Sequence, residues 1–315
     1  MVAVSHHWVD AAGLRVHLAE AGPADAEPLL LLHGWPQHWY LWRGVVPSLS
    51  QRYRLLMPDL RGLGWTEVTE GGYEKENLAR DQLALLDALG IERVKLIGHD
   101  WGAYAGFLMC LLAPERVERF LPTNIVHPWL KPSGRGLLNV WRMSYQLPLV
   151  APLLGPRVTR VPGYVRLILN GAKRGVFSEA ELDAFEAPFR EPARAAASAK
   201  YYRAFHLHDL PLLVRGHWRA YRLTVPTLML FGTGDFAIPT SALEGYESYA
   251  DDMRVEFVPG TGHFVVDAAP DAVAARARIL RGALESPRCD ASCAPQRTRP
   301  ASRCSLWWWP ASSCG

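Results

Sequence analysis

The sequence predicts an α/β fold in which a mostly parallel sheet is interrupted by a block of helices. Strand-like and helix-like segments alternate over residues 1–126, the order that a parallel sheet with right-handed crossovers requires. From residue 128 to about 222, β-branched runs are few and helix formers dominate, and strand signals then return. We therefore expect a core of residues 1–127 and 223–285, with a helical cap of residues 128–222 inserted between its two parts.

The core strands are predicted from short apolar runs. Residues 14–18 alternate apolar and polar side chains with period two, which indicates an early antiparallel strand. Residues 29–32 are four consecutive leucines, as expected for a strand that is buried on both faces of a parallel sheet. The other strand signals are residues 53–57, 94–97, 120–125, 227–231 and 254–258.

The helices are predicted from apolar residues at helical spacing. In the core, residues 78–89 end at Gly90, which suits a C-terminal cap, and residues 103–113 follow the 94–97 run after five intervening residues. The cap carries helix signals at residues 179–189 and 193–206, and a last amphipathic helix spans about residues 271–284.

Charge and composition argue against nucleic acid and membranes as partners of this chain. The formal charge of +3 comes entirely from residues 286–315, which hold four arginines and one aspartate. A neutral body gives no reason to expect nucleic acid or an anionic membrane as a partner. The N-terminus shows no secretory signal, and no apolar run reaches the roughly 18 residues that span a bilayer. We therefore expect no membrane partner and a cytoplasmic location.

The cysteines do not indicate a metal site. Cys110 is expected to be a buried small hydrophobe, and the other four, Cys289, Cys293, Cys304 and Cys314, lie in a tail without histidine. Their spacing matches no common zinc pattern. Residues 286–315 lack periodicity, so we predict a disordered tail, with an aromatic docking tail around its three tryptophans as the alternative.

The most informative motif is Gly98-His99-Asp100-Trp101-Gly102, between the 94–97 strand and the 103–113 helix. It is the G-x-nucleophile-x-G pattern of a sharp turn that lifts the central side chain above the edge of a sheet. The central residue is an aspartate, where esterases carry serine. A carboxylate attacks an sp³ carbon and leaves an ester, which predicts epoxide or haloalkane chemistry. The alternative is that Asp100 only caps the helix.

Three other loops complete a set of catalytic candidates at the carboxyl ends of predicted strands, where parallel sheets bind ligands. The first is His33-Gly34-Trp35-Pro36, from which the amide of Trp35, with that of Trp101, would form an oxyanion hole. Asp235 and His263 follow the last two strands, which gives the chain order nucleophile, acid, histidine. Asp235 could also be an ordinary turn residue, and His263 a loop histidine.

With Trp39-Tyr40, Trp42-Arg43 and the loop of residues 59–64, these motifs resemble the epoxide hydrolase branch of the α/β-hydrolase fold over about residues 10–285. The resemblance implies an α/β-hydrolase core with a helical cap, and hydrolysis of an epoxide to a vicinal diol without metal or organic cofactor. It implies that Asp100 is the nucleophile, that His263 is the base and that Asp235 orients His263.

The same resemblance implies two cap tyrosines that activate the epoxide oxygen. Tyr202, which precedes an arginine near the end of the cap, looks like the second of them. We choose Tyr145 as the first, although the family motif often places this tyrosine about where Trp141 stands. Trp141 is therefore expected to bind substrate, together with Trp35 and Trp101.

Two rival functions remain open at this point. A haloalkane dehalogenase would share Asp100 and His263, and the Trp101 indole would suit a leaving halide. A catalytically inactive hydrolase fold could serve as a binding module. His206-Leu207-His208 could suggest a metal, but no carboxylate or thiolate cluster accompanies it, and His99 is expected to be structural. The oligomeric state is not predicted.

Overall fold

The structure, a computed structural model, describes residues 2–130, 140–171 and 175–277. Within these ranges eight strands form one sheet in the order β1-β2-β4-β3-β5-β6-β7-β8. The strands are β1 (Ser5–Ala11), β2 (Leu14–Ala21), β3 (Glu27–Leu32), β4 (Tyr53–Pro58), β5 (Val94–His99), β6 (Val117–Thr123), β7 (Thr227–Gly232) and β8 (Met253–Val258). Strand β2 is antiparallel to both of its neighbours, and all the other pairs are parallel. The predicted mostly parallel α/β sheet is confirmed.

Helices cover both faces of the sheet and fill the interval between β6 and β7. The α-helices are α1 (Val46–Leu49), α2 (Lys75–Ala88), α3 (Trp101–Leu112), α4 (Leu147–Val150), α5 (Gly155–Val158), α6 (Tyr164–Gly171), α7 (Glu179–Glu186), α8 (Pro192–Ala204), α9 (Leu210–Arg215), α10 (Val265–Ala268) and α11 (Pro270–Ala277). Shorter 3₁₀ helices lie at Trp39–Gly44, Pro114–Arg116, Val140–Gln146, Ala187–Arg190, His217–Ala220 and Thr240–Leu243, and a π-helical turn lies at Phe205–Asp209.

The leucine run of β3 shows why the strand is apolar throughout. Successive side chains of a strand point to opposite faces of the sheet. Leu30 and Leu32 pack into the core that contains α2 and α3, whereas Leu29 and Leu31 pack into the core that contains α1, α10 and α11. All four are fully buried. Both faces of the sheet centre are therefore closed to water, and only its edges and strand ends remain for a site.

The helices between β6 and β7, from the 3₁₀ helix at 140–146 to the one at 217–220, are called the inserted helices below. Helix α7 begins with a capping box in which Ser178 and Glu181 satisfy each other's backbone N–H groups. Helix α8 carries Tyr202 and leads directly into the π-helical turn. The division into a core and a cap domain at residues 127/128 and 222/223 stays a prediction.

Some sequence predictions fall outside the described residues. They include the end of the last helix beyond Ala277 and the tail of residues 286–315 with its cysteines and tryptophans. Cys110 is buried in α3 as expected. Over the described ranges, no helix is both long enough and apolar enough to cross a bilayer.

Candidate active site

Asp100 stands alone at the turn between β5 and α3. Its backbone has φ +49°, a left-handed conformation that residues other than glycine rarely adopt. The turn is so tight that neither of its flanking glycines has room for a Cβ. A Cβ on Gly102 would lie 2.3 Å from the carbonyl oxygen of His33, and one on Gly98 would lie 2.5 Å from the Cα of Ala103. The predicted sharp strand-to-helix turn is thus formed, and Asp100 lies at its tip.

The two predicted amide donors both face the Asp100 carboxylate. The Trp35 backbone N–H donates to Asp100 Oδ2 over 3.0 Å. The Trp101 backbone N–H also faces this carboxylate and favours its ionised form. A Cβ on Gly34 would come within 2.4 Å of the Asp100 Cβ, so a glycine is needed for the two loops to approach this closely. The site therefore has two fixed donors aimed at the atoms of one carboxyl group.

His263 and Asp235 lie on the other side of Asp100. His263 Nδ1 is 2.8 Å from Asp235 Oδ2, and His263 Nε2 is 3.8 Å from Asp100 Oδ1. Asp235 Oδ1 accepts hydrogen bonds from the backbone N–H groups of Ala237 and Ile238, at 2.8 and 2.9 Å. The imidazole is thus held by one aspartate and faces the other with its second nitrogen.

Burial and charge set the protonation of this group. Burial raises the pKa of Asp100, against the opposing effects of His263 and the two amides, and the net pKa lies above the usual range. Burial lowers the pKa of His263, but the Asp235 carboxylate raises it more, with help from Asp100, so the net pKa is raised. Burial opposes ionisation of Asp235, yet His263 and its hydrogen bonds hold the pKa of Asp235 below its usual value. Asp235 is thus the permanent anion of the site.

The two predicted tyrosines lie together over the site. Tyr202 is buried, and its ring meets the rings of Trp35 and Trp101 edge to face, at centroid distances of 5.1 and 6.0 Å. Tyr145 meets Tyr202 edge to face at 6.1 Å. Burial and the Asp100 charge raise the pKa of both phenols, so the hydroxyls keep their protons near neutral pH. Both tyrosines therefore lie close enough to Asp100 for its charge to affect the pKa values of their phenols.

Comparison with known proteins supports the fold. A family model described as alpha/beta hydrolase fold matches residues 27–146, and the sheet order and the turn at Asp100 agree with it. The chain has the α/β-hydrolase fold. The soluble epoxide hydrolase of Corynebacterium sp. (strain C12) is 28% identical over 283 residues, which cover 86% of this chain and 94% of that protein. Epoxide hydrolase 2 of Caenorhabditis elegans is 25% identical over 286 residues, which cover 85% of this chain and 78% of that protein.

A solved structure supports the same similarity. Epoxide hydrolase A from Mycobacterium thermoresistibile superposes with a TM-score of 0.74 at 25% identity, and the match covers 89% of this chain and 98% of that one. The resemblance of this chain to the epoxide hydrolase family, expected from its motifs, is confirmed. The roles of the individual site residues stay predictions.

Sequence reasoning missed two residues that hold the acid loop of this α/β-hydrolase. Asn124, at the end of β6, donates from Nδ2 to Asp235 Oδ2 over 2.8 Å and accepts from the backbone N–H of Gly232. Arg142 Nη1 donates to the backbone oxygens of Asp235 and Phe236, at 3.1 and 3.3 Å. The position of Asn124 after a predicted strand could have indicated it. No sequence signal distinguishes Arg142 from the other arginines of the inserted helices.

The tryptophans of the α/β-hydrolase differ in their hydrogen bonding. The Trp35 indole donates to Ser198 Oγ on α8 over 2.9 Å. The Trp101 indole N–H is buried without a well-aligned acceptor in the described part of the chain, although its interaction with the Tyr202 hydroxyl opposes the rise in the pKa of that phenol. The backbone of Trp141 belongs to the 3₁₀ helix Val140–Gln146, but its side chain lies outside the described residues, so its predicted contact with substrate stays a prediction.

The remaining histidines have other surroundings. His99 is fully buried, and its Nδ1 lies 3.0 Å from Thr123 Oγ1, as suits its expected structural part. His206 and His208 lie on the π-helical turn, where His206 Nε2 is 2.8 Å from Gln146 Oε1. Across residues 2–130, 140–171 and 175–277, no group of three or more His, Cys, Asp or Glu side chains is arranged to hold a metal ion.

Proposed function

We propose that this α/β-hydrolase converts an epoxide into a vicinal diol through a covalent ester on Asp100. One observation carries the proposal: the Asp100 carboxylate lies between two backbone amides and the His263–Asp235 pair, and its charge acts on the phenols of Tyr145 and Tyr202. The relatives named as epoxide hydrolases support the substrate class. A small-molecule substrate and a cytoplasmic location are parts of the same proposal.

In the first half of the reaction, an Asp100 oxygen attacks an epoxide carbon. The carbon–oxygen bond of the ring breaks, and the departing oxygen takes a proton from a phenol. Tyr145 and Tyr202 suit this step because burial and the nearby negative charge keep both phenols protonated. The product is a hydroxyalkyl ester of Asp100.

In the second half, water cleaves the ester. His263 Nε2 removes a proton from water, and the hydroxide attacks the carboxyl carbon of Asp100. The Trp35 and Trp101 amides already point at this carboxyl group, so they need no reorganisation to stabilise the oxyanion. Collapse releases the diol, and the proton that His263 took from water restores the tyrosine hydroxyl.

The covalent ester is tested with styrene oxide as the probe. His263→Gln keeps the nucleophile but lacks the base, so it should accumulate a mass increase equal to one whole epoxide molecule. A single turnover of the unmodified protein in ¹⁸O-water should place the label in Asp100, and the diol should carry it only on later turnovers. Label in the first-turnover diol would overturn the covalent mechanism, and an inactive binding module would form no adduct.

The tyrosines are tested by removing their hydroxyls. Tyr145→Phe combined with Tyr202→Phe should slow alkylation of Asp100 by about 10²–10³-fold, because a donor to the departing oxygen is lost. Hydrolysis of a preformed ester should stay nearly unchanged, since the tyrosines act only in the first half. A double variant that opens styrene oxide at the unmodified rate would make these tyrosines packing residues.

One observation favours a second candidate function, dehalogenation of a haloalkane. The Trp101 indole N–H is buried and has no well-aligned acceptor among the described residues, and such a donor would stabilise a leaving halide. The Trp35 indole is bound to Ser198 and supplies no second donor. Halide release from 1-bromobutane, with no turnover of styrene oxide, would replace the epoxide proposal with this one.

A further inference from the structure

The π-helical turn Phe205–Asp209 follows the helix that carries Tyr202 and holds a histidine that the proposed reaction does not use. Isolated π-helical turns are rare and are frequent at functional sites. His206 Nε2 lies 2.8 Å from Oε1 of Gln146, a buried residue of the Val140–Gln146 helix. Gln146 is also the direct neighbour of Tyr145 in sequence. The turn therefore reaches the first phenol of the site through a single side chain.

The amide of Gln146 contacts a different partner at each end. Its Nε2 donates to the Tyr145 hydroxyl over 3.1 Å, while its Oε1 faces His206. An amide oxygen can only accept, so the nitrogen of His206 that meets it must carry a proton. Burial and the Lys75 ammonium lower the pKa of His206, which favours the neutral ring. In its Nε2–H tautomer this ring donates to Gln146 Oε1 and so holds the Nε2 end of the amide toward Tyr145.

The orientation of the amide decides what the Tyr145 proton can do. With Nε2 toward Tyr145, the phenol oxygen accepts a hydrogen bond and its own proton stays available for another acceptor. With the amide turned over, the amide oxygen would take that proton and the phenol could no longer donate it to a substrate. We propose that His206 and Gln146 are positioning residues that direct the Tyr145 proton toward the departing oxygen of the substrate. This inference rests on the proposed epoxide chemistry.

The test uses a substitution that reverses the hydrogen bond. Gln146→Glu has nearly the same shape, but its carboxylate can only accept, so it would hold the Tyr145 proton. Gln146→Leu removes the donor without supplying an acceptor for that proton. Alkylation of Asp100 by styrene oxide is followed by intact mass in the His263→Gln background, where the ester accumulates. We expect Gln146→Glu to slow alkylation by about 10²-fold and Gln146→Leu by only about tenfold.

His206 is tested by loss and rescue of its donor. His206→Phe should slow alkylation by about tenfold, whereas His206→Gln keeps an N–H for the amide oxygen and should restore most of the rate. His208→Phe, on the same turn, is the control, because the His208 ring is half exposed and its hydrogen bond goes to Asp209. Hydrolysis of the ester with His263 intact shows that each variant is folded, and it should stay near the unmodified rate.

The outcomes separate the inference from the function on which it rests. If His263→Gln alone forms no adduct with styrene oxide, the epoxide proposal fails first. If the adduct forms and Gln146→Glu alkylates as fast as Gln146→Leu or faster, the direction of the hydrogen bond is wrong while the epoxide reaction stands. If His206→Phe and His206→Gln behave alike, His206 does not orient the amide.

Discussion

At the residue scale, the proposed reaction changes the charge of Asp100, and His263 is close enough to respond. The Asp100 carboxylate is one of the groups that raise the pKa of His263, and the nearest atoms of the two side chains are 3.8 Å apart. Formation of the ester removes this negative charge, while the Asp235 carboxylate remains. The pKa of His263 should therefore be lower in the ester than in the free protein.

This predicts a displaced pH profile. Ester hydrolysis needs neutral His263, so its rate should fall as the pH drops through the pKa of the ester form. That midpoint should lie below the His263 titration of the free protein measured by NMR. Rapid-quench hydrolysis of the ester across pH gives the first value. A kinetic midpoint at or above the NMR value would show that Asp100 does not contribute to the His263 pKa.

The site shows how far single residues can be predicted from the sequence. Asp100, Asp235 and His263 each follow a recognisable strand, so their chain order indicated a common location, and the structure brings them together. Asn124 and Arg142 hold the acid loop through contacts between positions about 110 and 93 apart in sequence. The sequence around either residue does not indicate these contacts, because their partners lie far along the chain and come close only on folding.

At the element scale, the turn at Asp100 depends on the close approach of two loops at Gly102. A methyl group there would meet the His33 and Leu32 carbonyl oxygens at 2.3 and 2.4 Å, both of which belong to the backbone. Gly102→Ala should lower the free energy of unfolding by about 1–3 kcal/mol, because the backbone must shift. Alkylation of Asp100 should slow as its donors move.

Urea unfolding and adduct formation measure the two effects of Gly102→Ala. Gly71→Ala is the matched control, because a Cβ there would meet open space and its φ is not left-handed. Unchanged stability and alkylation in Gly102→Ala would mean that the two loops do not need this close approach.

The start of helix α2 and the presence of strand β1 could not be predicted from the sequence pattern. Helix α2 begins at Lys75, three residues before the predicted start, because its first backbone N–H is bound by the Asp209 carboxylate of the distant π-helical turn at 3.1 Å. Strand β1 had no signal because nearly all of its side chains are exposed and show no apolar alternation. Buried strands, such as the leucine run of β3, were predicted because burial on both faces leaves an uninterrupted apolar sequence.

At the scale of the whole molecule, Arg43 joins three elements that are far apart in sequence. Its guanidinium contacts Asp267 on α10 and Glu181 on α7, both at 2.6 Å. The Asp267 side chain is fully buried, and burial raises its pKa to about 6 despite Arg43 and Gln37. Arg43→Met would leave this carboxylate without its charged partner. We expect a loss of about 3 kcal/mol in the free energy of unfolding at pH 8.

The loss should be smaller at acid pH. Asp267 has a raised pKa in the folded protein, so it becomes protonated below about pH 6 and then needs no cation. Urea unfolding at pH 5 and pH 8 measures the difference. Arg222→Met, which breaks a pair with Asp251 that is about half exposed, is the control and should cost less than about 1 kcal/mol. An Arg43→Met loss that does not grow with pH would contradict the assignment to Asp267.

The tail of residues 286–315 gives a second prediction at this scale. Each candidate site residue precedes position 264, and the tail sequence has no periodicity. A chain that ends at Glu285 should therefore keep its melting temperature and its turnover of styrene oxide. Calorimetry and a product assay of the two chain lengths make the comparison. A drop of several degrees, or a loss of turnover, would mean that the tail packs against the rest of the protein.

The two hydrogen bonds of Trp35 limit how the inserted helices can be exchanged between related proteins. Its amide serves Asp100, while its indole is held by a serine on α8. A chimera that receives its inserted helices from a relative would exchange the second contact without altering the first. Such a graft changes the support of the amide that donates to Asp100, even when every catalytic candidate of the recipient is retained. We therefore expect chimeras to work best when the grafted helices keep a hydroxyl at position 198.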